Sequence, residues 1–189
     1  MEDTNAAAAT YSKTARRFHW WTVALVGIQA PVGFAMVYRG ATLNIFDGLT
    51  NTLYNSHKLI GIVIFFLVLA RLSYRLTRGA PADEPSIERW QKAASHATHW
   101  SLYLLLLLVP IGGYLGISLY PALDVYGIPL PAITSANQPA AARVFFLHWM
   151  GAVLILGLVG AHVAAALFHY YVRKDGVLQR MWVRAGRRA

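Results

Sequence analysis

The sequence predicts an all-α membrane protein, a bundle of four transmembrane helices that run alternately up and down with both termini in the cytoplasm. Hydrophobic residues make up 57% of the 189 residues, and charged residues only 13%. The apolar residues fall into four long runs, which is typical of integral membrane proteins. Of the 17 basic residues, 14 lie on one side of the predicted membrane, and an excess of lysine and arginine marks the cytoplasmic side.

Polar or basic residues bound each of the four segments. The segments run from Phe18 to Tyr38, from His57 to about Leu76, from Ala93 to about Leu119, and from Val144 to Val172. The first is expected to be retained and not cleaved as a signal peptide. The uncharged core of the second, Leu59 to Ala70, has only 12 residues. A span needs ~20 residues, so we expect Arg71 to lie inside the membrane boundary.

The remaining residues are expected to form connections and tails around a single domain over residues 11–182. Residues 40–56, 77–92 and 120–143 are predicted loops, and Pro110 is expected to kink the third helix. Residues 1–10 and 183–189 are predicted flexible tails. The basic, amphipathic stretch that begins at Arg173 is expected to lie at the lipid surface.

Charge and composition exclude several classes of protein. Only Arg39, Lys58 and Arg143 lie on the outer side, so membrane orientation explains the net charge of +9 and no nucleic-acid partner is expected. The expected environment is a lipid bilayer. The chain has no cysteine, which excludes disulfides, thiolate-ligated metals, iron–sulfur clusters and covalent c-type haem.

Histidines on the fourth segment indicate the chemistry. His148 and His162 are 14 residues apart, which on a helix is ~21 Å along the axis and within ~40° of one direction. One face therefore presents imidazoles at two depths of a ~30 Å hydrocarbon core. At the outer depth the remaining histidine is His57, which predicts a pair with His148. At the inner depth His162 has three candidate partners, and depth alone leaves the choice open: they are His19, His96 and His99.

Several readings of these histidines compete. Single histidines at a membrane boundary are commonly interfacial, but polar groups inside a span are functional by default. Zinc or copper also suits imidazole, whereas a transporter needs acidic residues, and the four segments contain none. Bis-imidazole ligation of haem b fits better, because it leaves no open iron position and suits electron transfer. Gly61 and Gly151, one turn from His57 and His148, would leave room for a flat cofactor.

Five short motifs resemble the bacterial cytochrome b561 family over about residues 11–182. They are RFHWW at 17–21, NSHK at 55–58, SHATHW at 95–100, LHWMG at 147–151 and AHVAAALFHYY at 161–171. That family includes superoxide oxidases, and its wider superfamily includes the cytochrome b subunits of nickel–iron hydrogenases and formate dehydrogenases. The resemblance implies two b haems in a bacterial inner-membrane protein, with electron transfer between the periplasmic side and the quinone pool. It implies His57 and His148 as outer ligands, and His19 and His162 as inner ligands.

Three functions are carried forward from the sequence. The first is superoxide oxidation coupled to ubiquinone reduction. The second is a cytochrome b subunit that passes electrons between quinone and a partner dehydrogenase or hydrogenase. The third is a non-redox metal-binding or transport protein. A second copy of the chain also remains open as a partner.

Further residues are expected to serve the cofactors and substrates. A quinone site is expected near His169, Arg89 and Trp90 at the inner face. Arg71 is expected either to pair with a propionate of the inner haem or to snorkel to the interface. Lys58 and Arg143 are expected at the rim of the outer haem, where their charge would steer superoxide.

Overall fold

The computed structural model describes residues 10–182 and contains four long helices. They are α1 (Lys13–Val37, extended by a π-helical turn, Tyr38–Thr42), α2 (Gly48–Arg78), α3 (Arg89–Leu119) and α4 (Gln138–Phe168, followed by a π-helical turn, His169–Arg173). An antiparallel hairpin of β1 (Asp124–Val125) and β2 (Ile128–Pro129) joins α3 to α4. A 3-10 turn, Leu178–Arg180, follows α4. All four helices are long and apolar enough to cross a membrane, which confirms the predicted fold class. The predicted tails lie outside the described residues, except for Thr10.

Side-chain caps explain where three of the helices begin. Ser12, Asp47 and Asn137 each accept a hydrogen bond from the amide three residues further on, over 2.8–3.1 Å. A cap of this kind satisfies an amide that has no partner within the helix. As a result α2 and α4 begin with polar turns, at Gly48 and Gln138, ahead of their apolar runs.

The predicted helix starts were therefore too late. α2 begins nine residues before His57, so that His57 lies in the third turn and not in the first or second. α3 begins at Arg89 and not at Ala93, and the predicted loop before α4 contains six helical residues. These errors have one cause. Hydropathy locates only the apolar residues of a helix, whereas the capping residue sets the position at which the helix begins. α3 continues through Pro110, and the kink there stays a prediction.

The helices pack as two close pairs, α1 with α2 and α3 with α4, and the contact between α2 and α3 is smaller. A compact apolar cluster lies midway along the bundle, formed by Ile64, Val68, Leu106 and Ile155. Ile155 is seven residues from both His148 and His162. The cluster therefore separates the two histidine levels with a dry layer.

Outward faces of the bundle are apolar. Phe66, Leu147 and Val172 are 61%, 63% and 65% exposed, and many other large apolar side chains are similarly uncovered. A surface of this kind requires lipid, whose hydrocarbon has no hydrogen bonds to offer and matches apolar side chains. The protein is therefore a multi-pass membrane protein.

The described part of the segment after α4, up to Trp182, folds back onto the bundle, and its predicted place at the lipid surface stays a prediction. Trp20 Nε1 donates to the carbonyl oxygen of Met181 over 2.9 Å. The amide of Tyr11 donates to the carbonyl oxygen of Arg180 over 3.3 Å. Arg180 is only 8% exposed and donates to the carbonyl of Ala82. Both described ends of the chain thus meet at one end of the bundle, called the inner end here because the positive-inside rule assigns it to the cytoplasm.

At the outer end, hydrogen bonds hold the hairpin against α2 beside His57. Lys58 Nζ donates to the carbonyl oxygens of Ala122, over 3.3 Å, and Asp124. The hydroxyl groups of Ser56 and Tyr126 lie 2.6 Å apart. The ammonium group of Lys58 is therefore a structural contact of the loop.

Gly116→Ala should destabilise the contact between α3 and α4. A Cβ there would lie 2.5 Å from Cε1 of Phe145, and overpacking of this kind costs about 1–3 kcal/mol. Gly112→Ala is the matched control on the same helix, because its Cβ meets nothing within 4 Å. Thermal unfolding in detergent should give a lower Tm for Gly116→Ala alone. Equal Tm values for the two variants would contradict this packing.

Lys58→Met should release the hairpin. Hydrogen bonds from a charged donor contribute ~1.5–3 kcal/mol each, so amide hydrogen exchange over residues 122–130 should become about tenfold faster or more. Arg143→Met is the matched control, since Arg143 is an exposed basic residue of the same end with no ion pair among the described residues. Unchanged exchange in Lys58→Met would show that the hairpin is held by other contacts.

Candidate functional site

The structure brings His57 and His148 together at the outer end of the bundle. Their ring centres are 6.0 Å apart and the ring planes make an angle of 76°. His57 comes from α2 and His148 from α4, and both rings are half-buried. The two histidines that depth predicted to pair are therefore neighbours, with their ring planes nearly perpendicular.

Val109 fixes the protonation of the His148 ring. His148 Nδ1 lies 2.8 Å from the carbonyl oxygen of Val109. A carbonyl can only accept, so Nδ1 carries the proton and Nε2 keeps its lone pair. A partner of this kind orients a metal-binding histidine and raises the basicity of its free nitrogen. Nε2 of His148 therefore keeps a lone pair that could bind a metal.

Glycines on the opposite helices make room for the two rings. A Cβ on Gly113 would lie 3.0 Å from Cε1 of His148, and a Cβ on Gly33 would lie 2.9 Å from Cε1 of His57. Sequence reasoning looked for such glycines on the helices that carry the histidines and missed both. They lie on α3 and α1, and only the contact between helices identifies them.

A large apolar cavity of about 1,650 Å³ opens beside the outer pair. His57 and His148 both line it, with Gly33, Gly113 and Phe65 among the other residues. Pockets for small molecules are commonly 300–1,000 Å³. The outer cavity can therefore take a large planar group against both imidazoles.

Three histidines converge at the inner level. The ring centre of His162 lies 6.3 Å from that of His19 and 5.2 Å from that of His99. His96 points away and pairs with Asp83 over 3.2 Å, at an exposed site. Two of the three candidate partners of His162 are therefore in place, and His96 is not.

Arg71 lies at this inner cluster, inside the bundle. Its Nη2 is 3.2 Å from Nδ1 of His19, and its guanidinium lies 5.2 Å from the ring centre of Tyr103. No carboxylate among residues 10–182 forms an ion pair with it. The side chain thus brings a positive charge to the inner histidines, as a carboxylate-bearing ligand would require.

In the described part of the chain, no direct contact joins His169 to Arg89 or Trp90, the other residues expected to bind quinone. His169 Nδ1 lies 2.5 Å from Oδ2 of Asp175, and the side chains are 12% and 8% exposed. Trp90 is exposed and donates to Glu88 over 2.7 Å. Among the described residues, no hydrogen bond or ring contact connects His169 with Arg89 or Trp90. Sequence reasoning missed Asp175. An acidic residue only six positions after His169 could have indicated it as a partner of that histidine.

The pairs of imidazoles suit a metal that brings other ligands with it. Over residues 10–182, no group of three or more histidine, aspartate or glutamate side chains is arranged to hold a metal ion. A structural zinc site takes four protein ligands, whereas a porphyrin supplies four nitrogens and needs two axial groups. The donor set, the glycine slots and the outer cavity all fit haem b.

Comparisons with known proteins identify the family. The sequence profile of prokaryotic cytochrome b561 matches residues 10–184. Cytochrome b561 homolog 2 of Escherichia coli (strain K12) is 32% identical over 178 residues, which are 90% of each chain. Cytochrome b561 homolog 1 of the same strain is 30% identical over 181 residues, 92% of this chain and 97% of the relative. The probable superoxide oxidase CybB of Yersinia pestis is 30% identical over 129 residues, 66% of this chain and 72% of the relative.

Proposed function

The chain belongs to the prokaryotic cytochrome b561 family, and we propose that it is a di-haem member that oxidises superoxide and reduces ubiquinone. Membership confirms the resemblance seen in the sequence, and it implies haem b binding and electron transfer in a membrane. Our proposal extends this to two haems, their ligands, both substrates and the bacterial inner membrane.

One observation carries the proposal. Two pairs of imidazole rings lie close together at two levels of the bundle, and α4 supplies one ring of each pair. Two imidazoles that held one metal between them would have ring centres about 6 Å apart, because a metal–imidazole bond is ~2 Å long. The outer pair, at 6.0 Å, and His19 with His162, at 6.3 Å, match this spacing. His99 is closer to His162, at 5.2 Å. We therefore assign His57 and His148 to the outer haem, and His19 and His162 to the inner haem.

Haem b held between two imidazoles supplies one-electron transfer without an open coordination position. The chain's own residues prepare the two sites for it. Val109 keeps the proton of His148 on Nδ1, so that Nε2 is free to bind. Gly33 and Gly113 leave space beside the rings. The apolar cluster at mid-depth, which includes Ile155, keeps water out of the layer between them.

Two observations support superoxide as the electron donor. One is the basic charge at the outer end of the bundle, and the other is the similarity to the probable superoxide oxidase of Yersinia pestis. His57 and His148 would leave a haem between them no free position for a ligand, so the donor would need only to come near it, and a small anion would be drawn by basic charge near the outer cavity. Arg143 is exposed and five residues before His148. Arg39 is neutralised by Asp47 over 2.6 Å, and Lys58 is held by the hairpin. Arg143 is therefore the better test of steering.

The overall reaction balances as a two-electron reduction of quinone. Two superoxide anions each lose one electron and leave as dioxygen, and one quinone gains two electrons and two protons to become quinol. We propose the inner end as the quinone site. Asp175 accepts the proton on Nδ1 of His169, so that Nε2 is the atom left to exchange a proton with bound quinol. Arg71 is proposed to bind a haem propionate, which would release Nδ1 of His19.

The purified protein should contain two non-covalent b haems per chain, measured by the pyridine haemochrome assay and by a reduced-minus-oxidised spectrum. His148→Ala should lose the outer haem and keep the inner one, so that the content falls to one per chain. His96→Ala is the matched control and should keep both, because His96 faces Asp83. One haem or none in the wild-type protein would contradict the di-haem assignment.

Superoxide consumption should slow as ionic strength rises, because salt screens the attraction between charges. In stopped-flow experiments on protein in nanodiscs, Arg143→Glu should slow it by roughly a few-fold at low salt, because one residue supplies only part of a steering effect that spans about 10–10³-fold for a whole charged surface. Arg78→Glu makes the same charge change at the inner end and should leave the rate unchanged. If no consumption depends on haem, the partner-dehydrogenase function replaces superoxide oxidation.

A further inference from the structure

The two outer histidines face main-chain carbonyl groups of neighbouring helices. His148 Nδ1 lies 2.8 Å from the carbonyl oxygen of Val109, on α3. The ring of His57 faces the carbonyl group of Gln29, on α1. A carbonyl acceptor at one ring nitrogen makes the other nitrogen more basic, and so a better electron donor to a metal. Both outer rings are therefore placed to stabilise the more oxidised, more positive state of a metal between them.

The inner histidines have different surroundings. His19 Nδ1 lies 3.2 Å from Nη2 of Arg71, and a guanidinium group can only donate. His162 has ring contacts with His19 and His99. Among residues 10–182, no carbonyl oxygen is hydrogen-bonded to a ring nitrogen of His19 or His162. The inner level thus has a cation where the outer level has carbonyl oxygens.

A second guanidinium group lies one helical turn further along α2. Arg75 is half-buried, and with Arg71 and His99 it lines a cavity of about 50 Å³ at the inner end. No carboxylate in the described part of the chain forms an ion pair with Arg71 or Arg75. Two positive charges beside the inner histidines are therefore not balanced by an acidic side chain.

Cations of the outer end are balanced or lie in water. Arg39 is paired with Asp47 over 2.6 Å. The ammonium group of Lys58 is held by carbonyl oxygens of the hairpin, and the carboxylate of Asp124 acts on the same ammonium group. Arg143 is exposed, so that water and salt screen its charge. The two levels therefore differ in the charge that acts on their histidines.

We propose that these surroundings give the two haems unequal midpoint potentials, the inner one higher, and that Arg71 and Arg75 raise the inner potential. The inference rests on the proposed function, in which the histidine pairs are axial ligands. A positive charge in a medium of low dielectric constant favours the reduced, less positive iron, whether Arg71 stays at His19 or binds a propionate. Carbonyl acceptors have the reverse effect at the outer level. The difference directs an electron from the outer end to the inner end.

Redox titration of the purified protein, with each haem followed by its visible and EPR spectra, tests the order of the two potentials. The EPR signal that remains in His148→Ala identifies the inner haem. In the wild-type protein an electron should favour the inner haem about tenfold, which for one electron is a difference of about 59 mV. An inner potential that does not exceed the outer one would overturn the inference.

Arg71→Met and Arg75→Met test the source of the difference. Each removes a charge and keeps a long apolar side chain, so the inner potential should fall and the outer one should stay at its wild-type value. Arg71→Lys keeps the charge and should lie closer to wild type than Arg71→Met. Arg78→Met is the matched control, because Arg78 is an exposed residue of the same helix, and it should change neither potential.

Two results of these variants would show that the inference is wrong. One is an inner potential that stays at its wild-type value in Arg75→Met, which remains measurable even if Arg71→Met loses the inner haem. The other is an equal fall of the inner potential in Arg71→Lys and Arg71→Met, because the charge of Arg71 would then not be the cause.

Failure of this inference and failure of the proposed function give different results. If the wild-type protein contains one haem or none, or if His148→Ala keeps both haems, the haem assignment itself fails. If two haems are present and His148→Ala loses one of them, but the inner potential does not exceed the outer one, the assignment stands and only this inference is overturned.

Discussion

Half-buried imidazoles at two levels are the constraint on which this bundle depends. α4 carries one imidazole of each level, and because it is helical without a break from Gln138 to Phe168, it fixes their separation. A ring nitrogen inside a membrane has no water to bond with, so it must find a partner in the protein or on a cofactor. α2 brings His57 to the outer level and α1 brings His19 to the inner level. α3 contributes a carbonyl oxygen. These contacts between helices fix the positions of the four helices along the bundle axis relative to one another.

At two places helices approach closely where an imidazole ring lies between them. Gly33 and Gly113 face imidazoles at distances too short for a Cβ, whereas Gly157 and Gly160, on the histidine-bearing helix itself, have nothing within 4 Å. Small residues allow transmembrane helices to pack closely in general. Here the two glycines also let a flat ring lie against a main chain, which joins helix packing to the ligand geometry.

Charge is handled differently at the two ends of the bundle. At the outer end, the amide of Thr50 and the guanidinium of Arg39 hold the pKa of Asp47 at about 2, so this carboxylate stays ionised and caps α2. At the inner end Arg71 has no acidic partner among the described residues and lies against His19. At the outer end Arg39 and Lys58 are thus engaged in structural contacts and Arg143 is left exposed, while at the inner end no carboxylate of the described residues pairs with the guanidinium of Arg71.

The sequence by itself determined the four spans and the two levels of histidine on α4, and its distribution of basic residues predicts the orientation of the spans. These depend on hydropathy and on the helical period, which are properties of neighbouring residues. Tertiary structure decided the rest. Caps set the beginnings of α2 and α4, the chain after α4 turned back to bury Arg180, and packing between helices chose His19 and His99 over His96 as neighbours of His162. Contacts between distant segments decide such features, because residues on different helices meet only when the bundle closes. The glycines that face the histidine rings from other helices exist for the same reason.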